Sequence, residues 1–183
     1  MREKLVNRLQ QMNKELSLLL QDLRGYSNER LNEQPDEESW SVVQILSHLY
    51  LAEKGSFNYI KRKVQYSDGL SQTDLGAKAR AMLLKFYLKT PFKFKAPEIV
   101  DTAGQEASNY WELARRYDDL RKALLAFLGD DLPEDLLRKQ LYKHPIAGRT
   151  DLMGMLSFFD QHFQRHKKQI YRTLKSIDAV KVN

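Results

Sequence analysis

Apolar residues recur at steps of three and four along most of this chain. Leu5, Leu9, Met12, Leu16, Leu20 and Leu23 form the first stripe, one face of an amphipathic helix. Gly25 suits its end, and the polar run GYSNERLNEQPDEE, residues 25–38, reads as a loop. Ser39-Trp40-Ser41 opens a second helix, because a serine hydroxyl accepts one of the unpaired N–H groups of a first turn. Val42, Ile45, Leu49, Ala52, Ser56 and Tyr59 keep helical spacing from there toward Tyr66. A third helical stretch is expected from Leu75 to Lys89, stopped by Pro91, with residues 91–104 irregular.

The second half repeats the pattern more strongly. Tyr110, Leu113, Ala114, Tyr117, Leu120, Leu124 and Leu128 make a long stripe that Gly129 ends. Residues 129–150 read as a connection with one short helical turn. Thr150 or Asp151 caps a last helix whose stripe is Leu152, Met155, Leu156, Phe159, His162, Phe163, His166, Ile170, Leu174 and Ile177. No strand pattern or repeat stands out. Four long helices and a shorter one predict an all-α fold, a four-helix bundle with an insertion between the second and third main helices.

A length of 183 residues is enough to bury a core, and the whole of 1–183 is read as a single domain. The absence of cysteine excludes disulfides, thiolate metal sites and a cysteine nucleophile. The start, MREKLVNRLQ, is charged from residue 2 and lacks the apolar core of a signal peptide. No run approaches the roughly 18 apolar residues of a membrane span. The expectation is a cytoplasmic protein with no membrane partner.

The net charge is +6, and residues 61–95 alone hold nine Lys/Arg against two acidic residues, so this segment carries the whole excess. Phe86, Tyr87, Phe92 and Phe94 lie inside it. Basic residues interleaved with aromatics can contact nucleic acid or an anionic ligand. No nucleic-acid motif accompanies them, and the segment reads as a solvated lysine-rich surface with packed aromatics.

Histidine changes the picture most. The chain has four, and two of them, His162 and His166, stand four apart on the apolar stripe of the last helix. That spacing puts both rings on one side, one turn apart. His48 follows Ile45 by three and precedes Ala52 by four, so it sits on the apolar stripe of the second helix. A buried histidine is commonly a packed core residue. Three pointing inward from two helices would cost desolvation without a shared partner. Bundles build metal sites from facing helices in this way, and three imidazoles suit Zn, Ni, Fe, Mn or Cu with a position left open. His144, before Pro145, reads as a turn residue and not a ligand. Trp40 and Trp111 read as core or helix-end packing residues.

Three blocks carry a resemblance: SWSVVQILSHLYLAE at 39–53, HPIAGRTDLMGML at 144–156, and the H-x-x-x-H of His162 and His166. In order and spacing they resemble the DinB/YfiT-like superfamily, over most of the chain apart from residues 61–105. The resemblance implies an up-down-down-up bundle with a long crossover, and a homodimer. It implies a divalent metal on His48, His162 and His166. Members include metal-dependent hydrolases and thiol-dependent enzymes, such as bacillithiol S-transferases and mycothiol-dependent maleylpyruvate isomerase. The implied partner is a small-molecule substrate, with a low-molecular-weight thiol as one class. Such a metal lowers the pKa of a bound water or thiol, giving hydrolysis or S-transfer. Glu53, five residues after His48, is a weak candidate for a supporting or base group, against a plain reading as a solvated helix glutamate. The alternative function is a non-catalytic, partner-binding bundle with a structural or vestigial metal. His-Pro and Gly148 are expected to shape the turn into the last helix.

Overall fold

The leucine stripe of the N-terminal segment folds as α1, Arg2–Leu23, in a computed structural model that describes residues 1–74, 76, 109–144 and 148–180. Leu19 joins the expected positions in the core. The polar run that follows is not all loop. Asn28–Asn32 form a short helix, α2, because Ser27 caps it and Leu31 gives it a buried anchor. α3, Val42–Gln65, starts at Ser41 in a capping box: the Ser41 hydroxyl accepts from the Gln44 N–H, and the Gln44 side chain accepts from the Ser41 N–H at 2.9 Å. Trp40 packs at this helix end, as expected.

The second half of α3 departs from the expected stripe. Glu53, Phe57 and Ile60 are buried, while Ala52, Ser56 and Tyr59 are only partly so. A bulky phenylalanine outcompetes its serine neighbour for the core, and Glu53 is drawn in by a charge on the next helix. That helix, α4, spans Tyr110–Ala126 and is capped by Asn109, whose side chain accepts from the N–H groups of Trp111 and Glu112. Trp111 stays 49 % exposed at this end, its ring edge-on to Tyr110.

Gly129 does not stop α4. The chain widens into a π-helical turn, Phe127–Asp131, and then tightens into a 3-10 turn, Glu134–Leu136. Two strands follow where none was expected: β1, Tyr142–His144, pairs antiparallel with β2, Gly148–Thr150. Three residues each are too few for alternation to stand out in a sequence. Gly148, the first residue of β2, has φ +79°, which L side chains rarely adopt, so this position favours glycine. α5, Leu152–Val180, is capped by Asp151, whose Oδ1 accepts from the Gly154 N–H at 2.8 Å. A Cβ on Gly154 would collide with the Thr150 side chain, so the glycine lets β2 sit against the first turn of α5. The helix expected at Leu75–Lys89, the irregular stretch 91–104 and most of the basic insertion lie outside the described residues. Among the described residues no helix is long and apolar enough to cross a membrane.

The side-chain contacts fix the helix directions. Along α1 and α5, Arg8 meets Asp160, Glu15 meets Lys167 and Asp22 meets Tyr171, so the two run parallel. Between α1 and α4 the order reverses: the Tyr110 hydroxyl donates to the Leu20 carbonyl, and Arg121 meets Asn13. α3 runs with α4, because Tyr50 packs on Tyr117 and Phe57 on Phe127. The long helices α1, α3, α4 and α5 therefore run up, down, down and up. α1 and α3 each pack against both α4 and α5. The all-α bundle expected from the sequence is the one observed.

Two apolar clusters fill the bundle, and a polar layer divides them. One cluster holds Leu5, Leu9 and Met12 with Phe57, Ile60, Leu124 and Phe159; the other holds Leu16 to Leu23 with Leu46, Leu49, Tyr117 and Phe163. On α1, α3, α4 and α5 the break falls at Asn13, Glu53, Arg121 and His162. The Arg121 guanidinium donates from Nε to Glu53 Oε2 at 2.5 Å and from Nη2 to Oε1 at 2.7 Å, with both side chains 2 % exposed. The Tyr117 hydroxyl donates to Oε1 at 2.7 Å. Burial would lower the Arg121 pKa, but the facing Glu53 charge outweighs it and holds the guanidinium above its ordinary value. Burial next to Glu53 pushes the Tyr117 phenol well up, so it stays a donor.

Removing one partner of this pair leaves a buried charge unmet. Arg121→Met and Glu53→Met are each expected to destabilise the fold by about 3–5 kcal/mol, and Glu53→Met/Arg121→Met by much less than the sum. Urea unfolding of the four proteins measures this. Additive losses would mean that the pair is not coupled.

Candidate metal centre

His48 lies two turns into α3, past the capping box, and faces α5. His162 and His166 face it from the middle of α5. The i, i+4 spacing stacks their rings along one side of the helix, with centroids 4.6 Å apart and planes at 90°. The His48 ring stands 5.0 Å from that of His162 and 4.9 Å from that of His166. All three turn the same nitrogen inward: His162 Nε2 is 3.0 Å from His48 Nε2 and 3.1 Å from His166 Nε2. The three sequence-predicted histidines are thus brought together, His48 buried and the other two partly so.

Protons alone serve this cluster poorly. An imidazole nitrogen has one in-plane site, filled by either a proton or a lone pair. His162 Nε2 lies within hydrogen-bond distance of two others and cannot give both a linear bond. One cation would meet all three lone pairs at once. Tetrahedral Zn–N bonds of 2.0–2.1 Å place ligand nitrogens about 3.3 Å apart, within a few tenths of an ångström of the separations here. The donor set fits a divalent ion: three imidazole nitrogens from two rigid helices.

The surroundings keep His162 and His166 neutral. Burial pushes His162 well below the ordinary imidazole pKa, and the neighbouring His166 and His48 rings lower it further. Burial, then His48, lowers His166 to about 4. Neutral rings can ligate near neutral pH without first losing a proton. The ring of Trp40 sits 5.2 Å from His48, and Phe158 stacks on His162 at 5.3 Å with planes 14° apart.

His144 was read as a turn residue and is not one. The alternation of β1 sends Tyr142 and His144 inward and Lys143 outward. His144 is 6 % exposed, its ring edge-on to Phe158 at 4.5 Å, and burial lowers its pKa to about 4. It therefore stands behind the phenylalanine that covers His162. Glu53 is not solvated: it is buried. Five residues turn a helix by about 140°, which carries Glu53 away from His48 and toward α4, where Arg121 and Tyr117 engage both its oxygens. Arg121, Phe158 and Gln169 went unread in the sequence. Arg121 follows Tyr117 by four and precedes Leu124 by three, so its place on the stripe was the available signal. A groove of about 490 Å³ on α3, lined by Gly55, Asn58, Lys61, Arg62 and Gln65, holds none of the histidines.

The lowered values set a pH dependence. His144 and His166 have folded pKa values of about 4, below the ordinary 6.5, so between those limits the unfolded chain binds more protons than the folded one. Their contribution to stability is full above about pH 6.5 and is lost as pH falls toward 4. Thermal melts of chelator-treated protein should show Tm falling by roughly 3–8 °C from pH 7 to pH 5, less steeply in His166→Asn. A flat profile would contradict neutral, buried rings.

The chain is 25% identical over 158 residues to the uncharacterized protein YuaE of Bacillus subtilis (strain 168), covering 86% of this chain and 91% of that one. No solved structure matches it significantly. The family model of the DinB superfamily matches residues 8–170, a span that runs from the first turns of α1 through His48, His162 and His166. The chain belongs to the DinB superfamily.

Proposed function

We propose that this protein binds one divalent metal ion through Nε2 of His48, His162 and His166 and uses it as an enzyme of the thiol S-transferase or hydrolase type. The observation that carries the reading is the convergence of three Nε2 atoms, those of His48 and His166 lying 3.0 and 3.1 Å from that of His162, in a cluster that protons serve poorly. Three protein ligands leave a position for a small molecule, the pattern of catalytic rather than closed structural sites. A bound divalent ion would supply Lewis acidity, lowering the pKa of a water or thiol at that position.

The chain's own contribution is placement. α3 and α5 hold the rings, burial keeps His162 and His166 unprotonated, and Trp40 and Phe158 flank the site with apolar surface. In S-transfer the thiol gives up its proton to solvent. Its sulfur then forms the new C–S bond as the leaving group departs with the bonding pair. With no cysteine in the chain, the thiol comes from a small cosubstrate. The proposed setting is cytoplasmic, and the proposed assembly is a homodimer.

Protein stripped of metal and reloaded with Zn²⁺, Mn²⁺, Ni²⁺ or Fe²⁺ should be assayed with low-molecular-weight thiols against a fluorogenic chlorobimane, and with nitrophenyl esters. At least one pairing should run about tenfold or more faster than with stripped protein or His162→Ala. A metal that binds but accelerates none of them would favour the structural role.

A further inference from the structure

The outward nitrogen of His166 is also engaged. His166 Nδ1 lies 2.8 Å from Oε1 of Gln169, which is three residues further along α5 and so on the same side of the helix. An amide oxygen can only accept, so Nδ1 carries the proton in this contact. A neutral imidazole has a single N–H. Its Nε2, 3.1 Å from His162 Nε2, is then a bare lone pair facing the centre. Without such a partner a neutral ring exchanges between two tautomers, and only one of them can ligate through Nε2.

We propose that Gln169 is a positioning residue of the metal centre. It holds His166 as the Nδ1–H tautomer and fixes the ring plane, which keeps Nε2 available to a divalent cation. Partners behind a ligand set its tautomer and basicity in this way, and their loss commonly weakens metal binding by about 10–100-fold. The proposal rests on the metal reading above and extends it to a residue that touches no metal.

Two variants separate positioning from packing. Gln169→Glu keeps an acceptor oxygen at the same reach; Gln169→Leu keeps the bulk and removes it. The first readout is the tautomer of His166 in ¹⁵N-labelled, metal-free protein, from two-bond ¹H–¹⁵N spectra of the imidazoles. The second is the Zn²⁺ Kd by competition with a chromophoric chelator. The proton should sit on Nδ1 in the parent and Gln169→Glu, and move at least in part to Nε2 in Gln169→Leu. The Kd should rise about 10–100-fold in Gln169→Leu and not in Gln169→Glu. A parent protein with the proton on Nε2 would overturn the proposal, as would Gln169→Leu with the parent's tautomer and Kd. If the parent binds no zinc, the metal reading fails, and the spectra still decide which nitrogen Gln169 holds protonated.

Discussion

A charge taken out of water inside a helical bundle has to be met at its own level, and that requirement joins α3 to α4. Glu53 and Arg121 meet through two hydrogen bonds at 2.5 and 2.7 Å, with a third from Tyr117. A slip of either helix by one residue, about 1.5 Å along the axis, would break that fork. Apolar side chains slide past one another at far smaller cost. The ion pair therefore sets the register that the leucine clusters on either side leave loose. Desolvation offsets much of its Coulomb energy, so the pair's net contribution to stability is small beside the cost of removing one partner.

The same register places the histidines. His48 is five residues before Glu53 on one rigid helix, so fixing Glu53 fixes the height of His48. α5 is located independently. Asp151 caps its start, and Arg8, Glu15 and Asp22 of α1 tie it down at Asp160, Lys167 and Tyr171. The two anchorages bring His48 and His162 to one level. Their short Nε2 separation is thus a consequence of the packing around them and does not depend on loops. A site built on helices in this way is held more tightly than one built on loops.

The helices and the three inward histidines were legible because period and chemistry coincided: the rings fall on stripes otherwise filled by leucine, isoleucine and phenylalanine. What escaped reading depends on neighbours that no periodicity encodes. Arg121 sits on a stripe, but a lone arginine there looks like an error of phase until Glu53 is seen opposite. Glu53 looked solvated because the α3 stripe was drawn through Ser56 rather than Phe57. The β ribbon was missed because it is three residues per strand, which also hid the inward turn of His144. Gln169 was visible only as a polar residue three after a histidine, and its meaning needs the position of an amide oxygen.

The claim on which all of this converges is that one cation sits among His48, His162 and His166. X-ray absorption on zinc-loaded protein tests it most directly. A zinc edge with about one metal per chain, and three imidazole nitrogens at roughly 2.0–2.1 Å, is the result expected, with one imidazole fewer in His162→Ala. Zinc that is absent, or held mainly by oxygen ligands with the histidine scattering unchanged in His162→Ala, would contradict it.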